Sequence, residues 1–303
     1  MALTSLTNKL DTKGSPYLYI TPFFLIFGVF GLFPLLYTGY VSLNDWDLLD
    51  SGAHEWVGLA NYRELLGDPY FWNALGNTLS IWVLSTVPQL LVALWIAHLL
   101  NHRLRARTSF RMAVLLPNIT SIVAVTIVFT QMFGRDFGMI NWLFGLVGAG
   151  PIDWQADTWS SHLAISLIVA WRWTGYNALI YLASMQAVPH DLYEAASLDG
   201  ASSSQQFWRI TVPQLRPTII FTAIISTIGG LQIMAEPLLF AGTSTPTGGS
   251  DRQFQTAALF MYEQGFREFR FGYASAIAWT LCLVIAIFAI ANFLLTRRIA
   301  NED

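Results

Sequence analysis

Charged residues are scarce in this 303-residue chain, at 12% of the sequence, whereas 54% of the residues are hydrophobic. A water-soluble domain of this length normally carries about a quarter charged residues. The chain therefore has too little charge to coat a water-facing surface, and its composition indicates an integral membrane protein. The net charge of -3 is small, which argues against a nucleic-acid partner.

Cysteine, lysine and clustered metal ligands are also rare. Cys282 is the only cysteine, which excludes an intrachain disulfide and a thiolate metal cluster. The only lysines are Lys9 and Lys13, and neither follows a glycine, so the sequence has no nucleotide-hydrolysing P-loop. The five histidines show no metal-ligand spacing, and no Ser-His-Asp set or carboxylate pair stands out. We therefore expect no catalytic residue, no metal site and no cofactor bound by this chain.

Long apolar runs dominate the chain instead. About 20 apolar residues cross the hydrocarbon layer of a membrane as a helix. We predict an all-α polytopic membrane protein that forms a single transmembrane domain over residues 1–303. Its six predicted spans are residues 17–42, 76–100, 110–133, 162–186, 217–240 and 273–296. We expect breaks at Pro34, Pro88, Pro117 and the Gly229-Gly230 pair, where neighbouring helices or a wet cavity must satisfy the freed backbone groups.

Lysine and arginine placement predicts the direction of the spans. Ten of the sixteen basic residues fall at the two termini, in the 101–111 turn and in the 187–216 loop, whereas the opposite loops hold five. The positive-inside rule places the ten-residue side, and with it both termini, in the cytoplasm. The sixteenth is Arg172, near the middle of the fourth span. An arginine there costs about 2.5–3.5 kcal/mol on insertion scales, so we expect it to face a polar cavity or a partner.

The longest cytoplasmic connection, residues 187–216, predicts two short helices with a break between them. Gly200 can adopt the left-handed conformation that ends the first helix. Ser202 and Gln205 form a capping box for the second, and Pro213 is expected to stop it before the fifth span. These features alone suit either a simple connector or a knob that docks a soluble partner.

The same segment contains Glu194-Ala195-Ala196, then Gly200 after three further residues and Ile210-x-Val212-Pro213 after nine more. With this spacing it resembles the EAA loop of ABC importer permeases. A valine, Val212, stands where the family usually has leucine. The flanking residues resemble the carbohydrate-uptake branch, as do residues 59–62 and 271–274, while residues 243–249 depart from the family's usual Thr-Gly-Gly-Gly-Pro turn. The motif residues, to which the resemblance assigns ATPase coupling, are Glu194, Ala195, Ala196, Asp199, Gly200, Ile210 and Pro213.

This resemblance implies a type I ABC importer permease fold with a cytoplasmic coupling helix. The chain would form half of an alternating-access path for a di- or oligosaccharide in a prokaryotic plasma membrane. Its implied partners are a second, similar permease, two cytoplasmic ATPase subunits, an extracytoplasmic sugar-binding protein and membrane lipid. ATP and Mg²⁺ would bind the ATPase subunits. The loop would dock in a cleft on one ATPase subunit, with Glu194 making the charged contact and Gly200 the turn.

The resemblance also points to a sugar path through the middles of spans 3, 4 and 5. Residues 171–177 of span 4 place tryptophan and tyrosine beside polar groups, which suits the C–H face and the hydroxyls of a sugar. The alternative is that these aromatic rings pack against other spans and that Arg172 makes a structural pair. The candidate path residues are Asn118, Ser121, Arg172, Trp173, Thr174, Gly175, Asn177, Gly229 and Gln232.

Two other function classes compete with an importer permease. A self-sufficient secondary transporter is expected to show an internal inverted repeat and ionisable residues in several spans. The sequence shows no repeat, and Arg172 is its main mid-span charge. A membrane-embedded enzyme requires clustered histidine, aspartate or cysteine near one interface, and the sequence offers no such cluster.

Overall fold

The computed structural model describes residues 15–47, 54–102, 105–242 and 247–301, with the side chains of residues 16, 54 and 295–301 left aside. The basic residues Lys9, Lys13 and Arg103 and the first half of the 243–249 turn lie outside the described residues. Close contacts divide the chain into two compact units, which are described separately. The first comprises residues 1–67 and 264–279, and the second comprises residues 68–263 and 280–303.

The first unit begins with a long helical run. Helix α1 (Ser15–Phe27), a π-helical turn (Gly28–Leu32) and helix α2 (Phe33–Val41) follow one another directly. The break expected at Pro34 is therefore wrong. A proline ring clashes with the carbonyl of residue i−4 in a regular α-helix, and the wider π-helical turn just before Pro34 relieves that conflict.

A short hairpin and a helix complete the described N-terminal part of this unit. Strands β1 (Asn44–Trp46) and β2 (His54–Trp56) pair antiparallel, and helix α3 (Ala60–Gly67) follows them. The side-chain amide of Asn61 donates to the backbone carbonyl oxygens of Ser42 and Asn44, at 3.0 and 2.9 Å. Asn61 thus joins α3 to the start of the hairpin.

The second unit is built around two long helices. Helix α4 (Pro69–Asn101) starts at Asp68, whose carboxylate accepts a hydrogen bond from the backbone N–H of Tyr70. It runs through Pro88 without interruption, so the break expected there is also wrong. Helix α8 (Thr158–Gln186) packs along it.

Between these two helices the chain makes a sharp bend. Helix α5 (Arg107–Ile119) and helix α6 (Ile122–Met132) meet at 90°, directly after Pro117. The break predicted at Pro117 is confirmed. Helix α7 (Met139–Leu146) then leads towards α8. The packing partners of α8 include α5 as well as α4, so α8 has much of its surface buried.

The remainder of the chain is helical with short breaks. Helices α12 (Arg216–Leu231) and α13 (Ala235–Ala241) are bent by 41° at the residues that follow the Gly229-Gly230 pair, so the break predicted there is confirmed. The elements, in order, are α9 (His190–Leu198), α10 (Ser203–Gln206), a second π-helical turn (Phe207–Thr211), α11 (Val212–Gln214), α12 (Arg216–Leu231), α13 (Ala235–Ala241), α14 (Ala257–Phe266) and α15 (Phe271–Asn301).

Three of the described helices are long and apolar enough to cross a membrane: Tyr17–Val41, Pro69–Asn101 and Phe271–Leu294. The two bent pairs raise this number to five if each pair forms one span. Helix α8 matches the fourth predicted span in position, but polar and charged residues lower its hydropathy below that of the others. The six-span count and the direction of the termini therefore stay predictions.

Candidate coupling surface and solute path

The segment between α8 and α12 has the predicted local structure. Gly200 has φ +80°, in the left-handed region, and ends the turn that follows α9. The Ser202 side chain accepts from the backbone N–H of Gln205, and the Gln205 side chain accepts from the backbone N–H of Ser202. Both the left-handed glycine and the capping box are thus confirmed. Pro213 does not stop the second helix, because helical structure continues through α11 to Gln214.

This segment presents charge and apolar surface to its surroundings. Glu194 is exposed, and one carboxylate oxygen lies 3.1 Å from Nδ1 of His190, one helical turn earlier. Leu198 is 90% exposed and Trp208 is 62% exposed. Tryptophan is enriched in protein–protein interfaces relative to the rest of a protein surface. We call residues 189–213 the coupling element.

A small cavity, the Trp173 cavity, lies between α4, α8 and α12 in the second unit. Its volume is about 30 Å³, and three of the predicted path residues, Trp173, Asn177 and Gly229, line it. The amide nitrogen of Asn177 donates to Oγ of Ser226 at 3.2 Å. The other polar or aromatic residues that line the cavity are Thr86, Gln89, Tyr176 and Ser226 itself.

Helix α4 contributes two unpaired polar groups to this cavity. Gln89 is 3% exposed and Thr86 is 4% exposed. Neither Oε1 of Gln89 nor Oγ1 of Thr86 has a hydrogen-bond partner among the described residues. A buried polar group left in this way costs about 1–3 kcal/mol. The cavity therefore combines tryptophan and tyrosine rings with hydrogen-bonding groups that are not committed to the fold.

Arg172 makes an ion pair instead of lining this cavity. Its Nη1 atom lies 2.9 Å from Oε1 of Glu236 in α13, and the two side chains are only 12% and 5% exposed. Of the polar cavity or partner expected for Arg172, the structure thus provides a partner within the chain. Burial of both ions makes the pair sensitive to loss of either partner.

Thr174 and Gly175 lie on another face of α8. They line a separate, mainly apolar cavity of about 410 Å³, together with Pro117 and Trp171. Oγ1 of Thr174 donates to the carbonyl of Ala170 at 2.6 Å, within α8 itself. The structure therefore does not bring these two residues together with Trp173.

Gly175 allows α5 and α8 to approach closely, which leads to a stability prediction. A Cβ atom at Gly175 would meet the carbonyl oxygen of Val114 at 1.7 Å, so Gly175→Ala should force the helices apart and cost about 1–3 kcal/mol. The measurement is the thermal unfolding midpoint of the detergent-solubilised protein. Gly76→Ala is the control, because Gly76 is also helical but has nothing within 4 Å of an added Cβ. Equal midpoints for the two variants would contradict the prediction.

The other predicted path residues lie at the helix bends. Asn118 is half-buried in the last turn of α5, and Ser121 is the exposed residue that starts α6. Gln232 is exposed and directly follows the end of α12. These three residues do not line the Trp173 cavity.

Sequence reasoning missed the contribution of α4 to the cavity and the partner of Arg172. A signal for α4 was present, because Thr86 and Gln89 are three residues apart and therefore share one face of an otherwise apolar helix. The Arg172–Glu236 pair had no comparable local signal, because its residues are 64 positions apart. Within the part of the chain that the structure describes, no three His, Cys, Asp or Glu side chains could hold a metal ion.

Comparison with known proteins identifies the family of this chain. The family model described as "Binding-protein-dependent transport system inner membrane component" matches residues 89–301. The lactose transport system permease protein LacF of Rhizobium radiobacter is 35% identical over 299 residues, which cover 97% of each chain. The trehalose/maltose transport system permease protein MalF of Thermococcus litoralis is 31% identical over 288 residues, 94% of this chain and 95% of that protein.

A third sugar-transport relative and a solved structure agree with this match. The arabinooligosaccharides transport system permease protein AraP of Halalkalibacterium halodurans is 34% identical over 293 residues, 96% of this chain and 90% of that protein. A crystal structure of a bacterial ABC transporter involved in the import of the acidic polysaccharide alginate contains a chain that superposes with a TM-score of 0.81. That chain is 21% identical, with 97% of this chain and 99% of that chain covered, and it shows the fold alone.

The family match covers well over half of the sequence, and several relatives match it nearly end to end. The resemblance expected from the EAA-like segment is therefore confirmed. This chain belongs to the family of binding-protein-dependent transport system inner membrane components, and it is a permease subunit, the non-enzymatic membrane part of such a system.

Proposed function

We propose that this chain is one of two permease subunits in an ATP-driven importer of a di- or oligosaccharide. The observation that carries the proposal is the near end-to-end similarity to LacF, AraP and MalF, whose names assign them to lactose, arabinooligosaccharides and trehalose/maltose. The chain crosses the prokaryotic plasma membrane six times and keeps both termini in the cytoplasm. Its solute path lies among α5, α8 and α12.

The coupling element is the proposed contact with a cytoplasmic ATPase subunit, one of two in the importer that bind ATP and Mg²⁺. Its exposed Glu194 offers a charge, and Leu198 and Trp208 offer apolar surface of the kind that a protein cleft buries. Closure of the ATPase dimer moves this element, and the attached helices α8 and α12 transmit the movement to the solute path. An extracytoplasmic binding protein delivers the sugar to the opposite face.

The cavity beside Trp173 supports the proposed solute path. It brings an indole ring, a phenol ring and an amide together inside the helices, which is the kind of site that binds a sugar. Arg172 contributes through its pair with Glu236, which fixes α13 against α8 beside this region.

Isolation of the complex tests the proposal. A tagged copy purified from its native membrane should retain an ATPase subunit and a second permease. In the purified complex, the sugar-loaded binding protein should stimulate ATP hydrolysis with at least one of lactose, maltose, trehalose and arabinooligosaccharides. The unloaded binding protein is the control. Recovery of the chain without an ATPase, or hydrolysis unaffected by all four sugars, would contradict the proposed function.

A further inference from the structure

The buried polar side chains of helix α4 include some with a hydrogen-bond partner and some with an unpaired polar atom. Thr78 and Ser85 donate their hydroxyl groups to backbone carbonyls within the helix, of Ala74 at 2.7 Å and of Trp82 at 3.2 Å. Thr86 and Gln89 are also buried, but the polar atoms Oγ1 and Oε1 have no such partner in the described part of the chain. A backbone bond of this type is the usual solution for a buried helical hydroxyl group, so Thr86 departs from the pattern of its own helix.

Both side chains line one small space, and Gln89 also borders the larger apolar cavity beside Thr174 and Gly175. Both residues line the cavity of about 30 Å³ that Trp173 and Asn177 close from α8. One N–H of the Asn177 amide already donates to Oγ of Ser226 in α12. A cavity of this size accommodates about one water-sized polar group.

We propose that Thr86 and Gln89 are specificity-determining residues of the solute path and that they bind one hydroxyl group of the transported sugar. This inference rests on the proposed function and extends the path to α4. Oε1 of Gln89 can only accept a hydrogen bond, whereas the Thr86 hydroxyl can donate or accept. A sugar hydroxyl can do both, so one such group satisfies the two side chains together. Trp173 supplies the apolar face for the adjoining C–H groups.

A purely structural role does not account for the unpaired polar atoms of Thr86 and Gln89. Native proteins pair nearly all of their buried polar groups, and an apolar side chain at residue 89 would fill the same space without an unpaired carbonyl. A site that must bind and then release a hydroxyl group needs polar atoms that the protein itself does not satisfy. Thr86 and Gln89 meet that requirement.

The test compares transport of lactose with transport of its monodeoxy derivatives by the complete complex in proteoliposomes. The loaded binding protein is kept saturating, and each rate is expressed as a ratio to lactose, so the preference of the binding protein cancels. In the wild-type complex, one derivative should be transported roughly tenfold more slowly or worse. In Gln89→Leu the same derivative and lactose should be transported at similar rates, because the substitution removes the side-chain carbonyl that binds this hydroxyl group.

Matched variants separate this result from a general loss of packing. Ser85→Ala removes a neighbouring hydroxyl that is already paired, and Gln131→Leu makes the Gln89 exchange at an exposed position. Both should keep the wild-type ratios. Thr86→Val repeats the comparison if Gln89→Leu does not assemble, and maltose with its derivatives replaces lactose if lactose is not imported.

Two outcomes overturn the inference at different levels. If the wild-type complex imports sugar and both Gln89→Leu and Thr86→Val keep every wild-type transport ratio, then Thr86 and Gln89 of α4 do not bind the sugar. If the wild-type complex transports neither lactose nor maltose and its ATPase activity responds to no sugar, the proposed function fails, and this inference fails with it.

Discussion

Gly200→Asp should reduce sugar uptake roughly 30-fold or more, the effect of losing about 2 kcal/mol of docking energy at the ATPase. A Cβ atom added at Gly200 meets nothing within 4 Å in this chain. The substitution therefore disturbs the docked partner far more than the fold of the coupling element. The left-handed backbone, with φ +80°, adds only about 1 kcal/mol of strain for a non-glycine residue.

Two further variants resolve the cause of this loss. Gly200→Ala imposes the same backbone strain with a much smaller group, and it should retain most of the uptake. Glu194→Ala removes the exposed charge and should reduce uptake while the chain still inserts in the membrane. The measurements are uptake, membrane content of the chain and ATPase subunits retained on purification. Wild-type uptake by Gly200→Asp would count strongly against the coupling role.

Arg172→Met should destabilise the protein by about 3–5 kcal/mol, because it leaves the carboxylate of Glu236 buried without its cation. The thermal unfolding midpoint of the purified complex measures this loss. The double variant Arg172→Met/Glu236→Met removes both charges, and it should recover most of the stability, since an apolar pair often replaces a buried ion pair without cost.

Transport by the double variant then decides the role of Arg172. If the arginine only holds α13 against α8, the stable double variant should import sugar at nearly the wild-type rate. If Arg172 also contacts the solute, the double variant should be stable but slow. A midpoint for Arg172→Met equal to that of the wild type would show that the ion pair contributes nothing to stability.

The coupling element was the most predictable part of the chain because its signals are local. A glycine that ends one helix and a Ser-x-x-Gln box that starts the next depend on bonds within three or four residues. The same holds for the bend after Pro117. The residues that line the Trp173 cavity and the face of α8 that meets α5 depend on contacts between helices that are distant in sequence. Such contacts leave no local signal in a single sequence.

The prolines show where local rules failed. Pro34 and Pro213 each stand two residues after the end of a π-helical turn, Gly28–Leu32 or Phe207–Thr211. In both turns the next backbone N–H bonds to the carbonyl five residues earlier. This wider spacing accommodates the proline ring, so each helical run continues. The sequence rule that proline ends a helix assumes α-helical spacing and misses this solution.

The low hydropathy of α8 has a consequence for biogenesis. In the proposed six-span arrangement, a ribosome-bound chain must partition this segment into lipid although arginine, histidine, serine and asparagine oppose that step. Helix α4, which forms hydrogen bonds with His162 and Ser166 of that segment, is translated earlier and packs along α8 in the finished protein. We therefore expect α8 to insert only when α4 is already in the membrane beside the translocon. A fragment that starts after residue 101 lacks α4 and should leave α8 outside the bilayer.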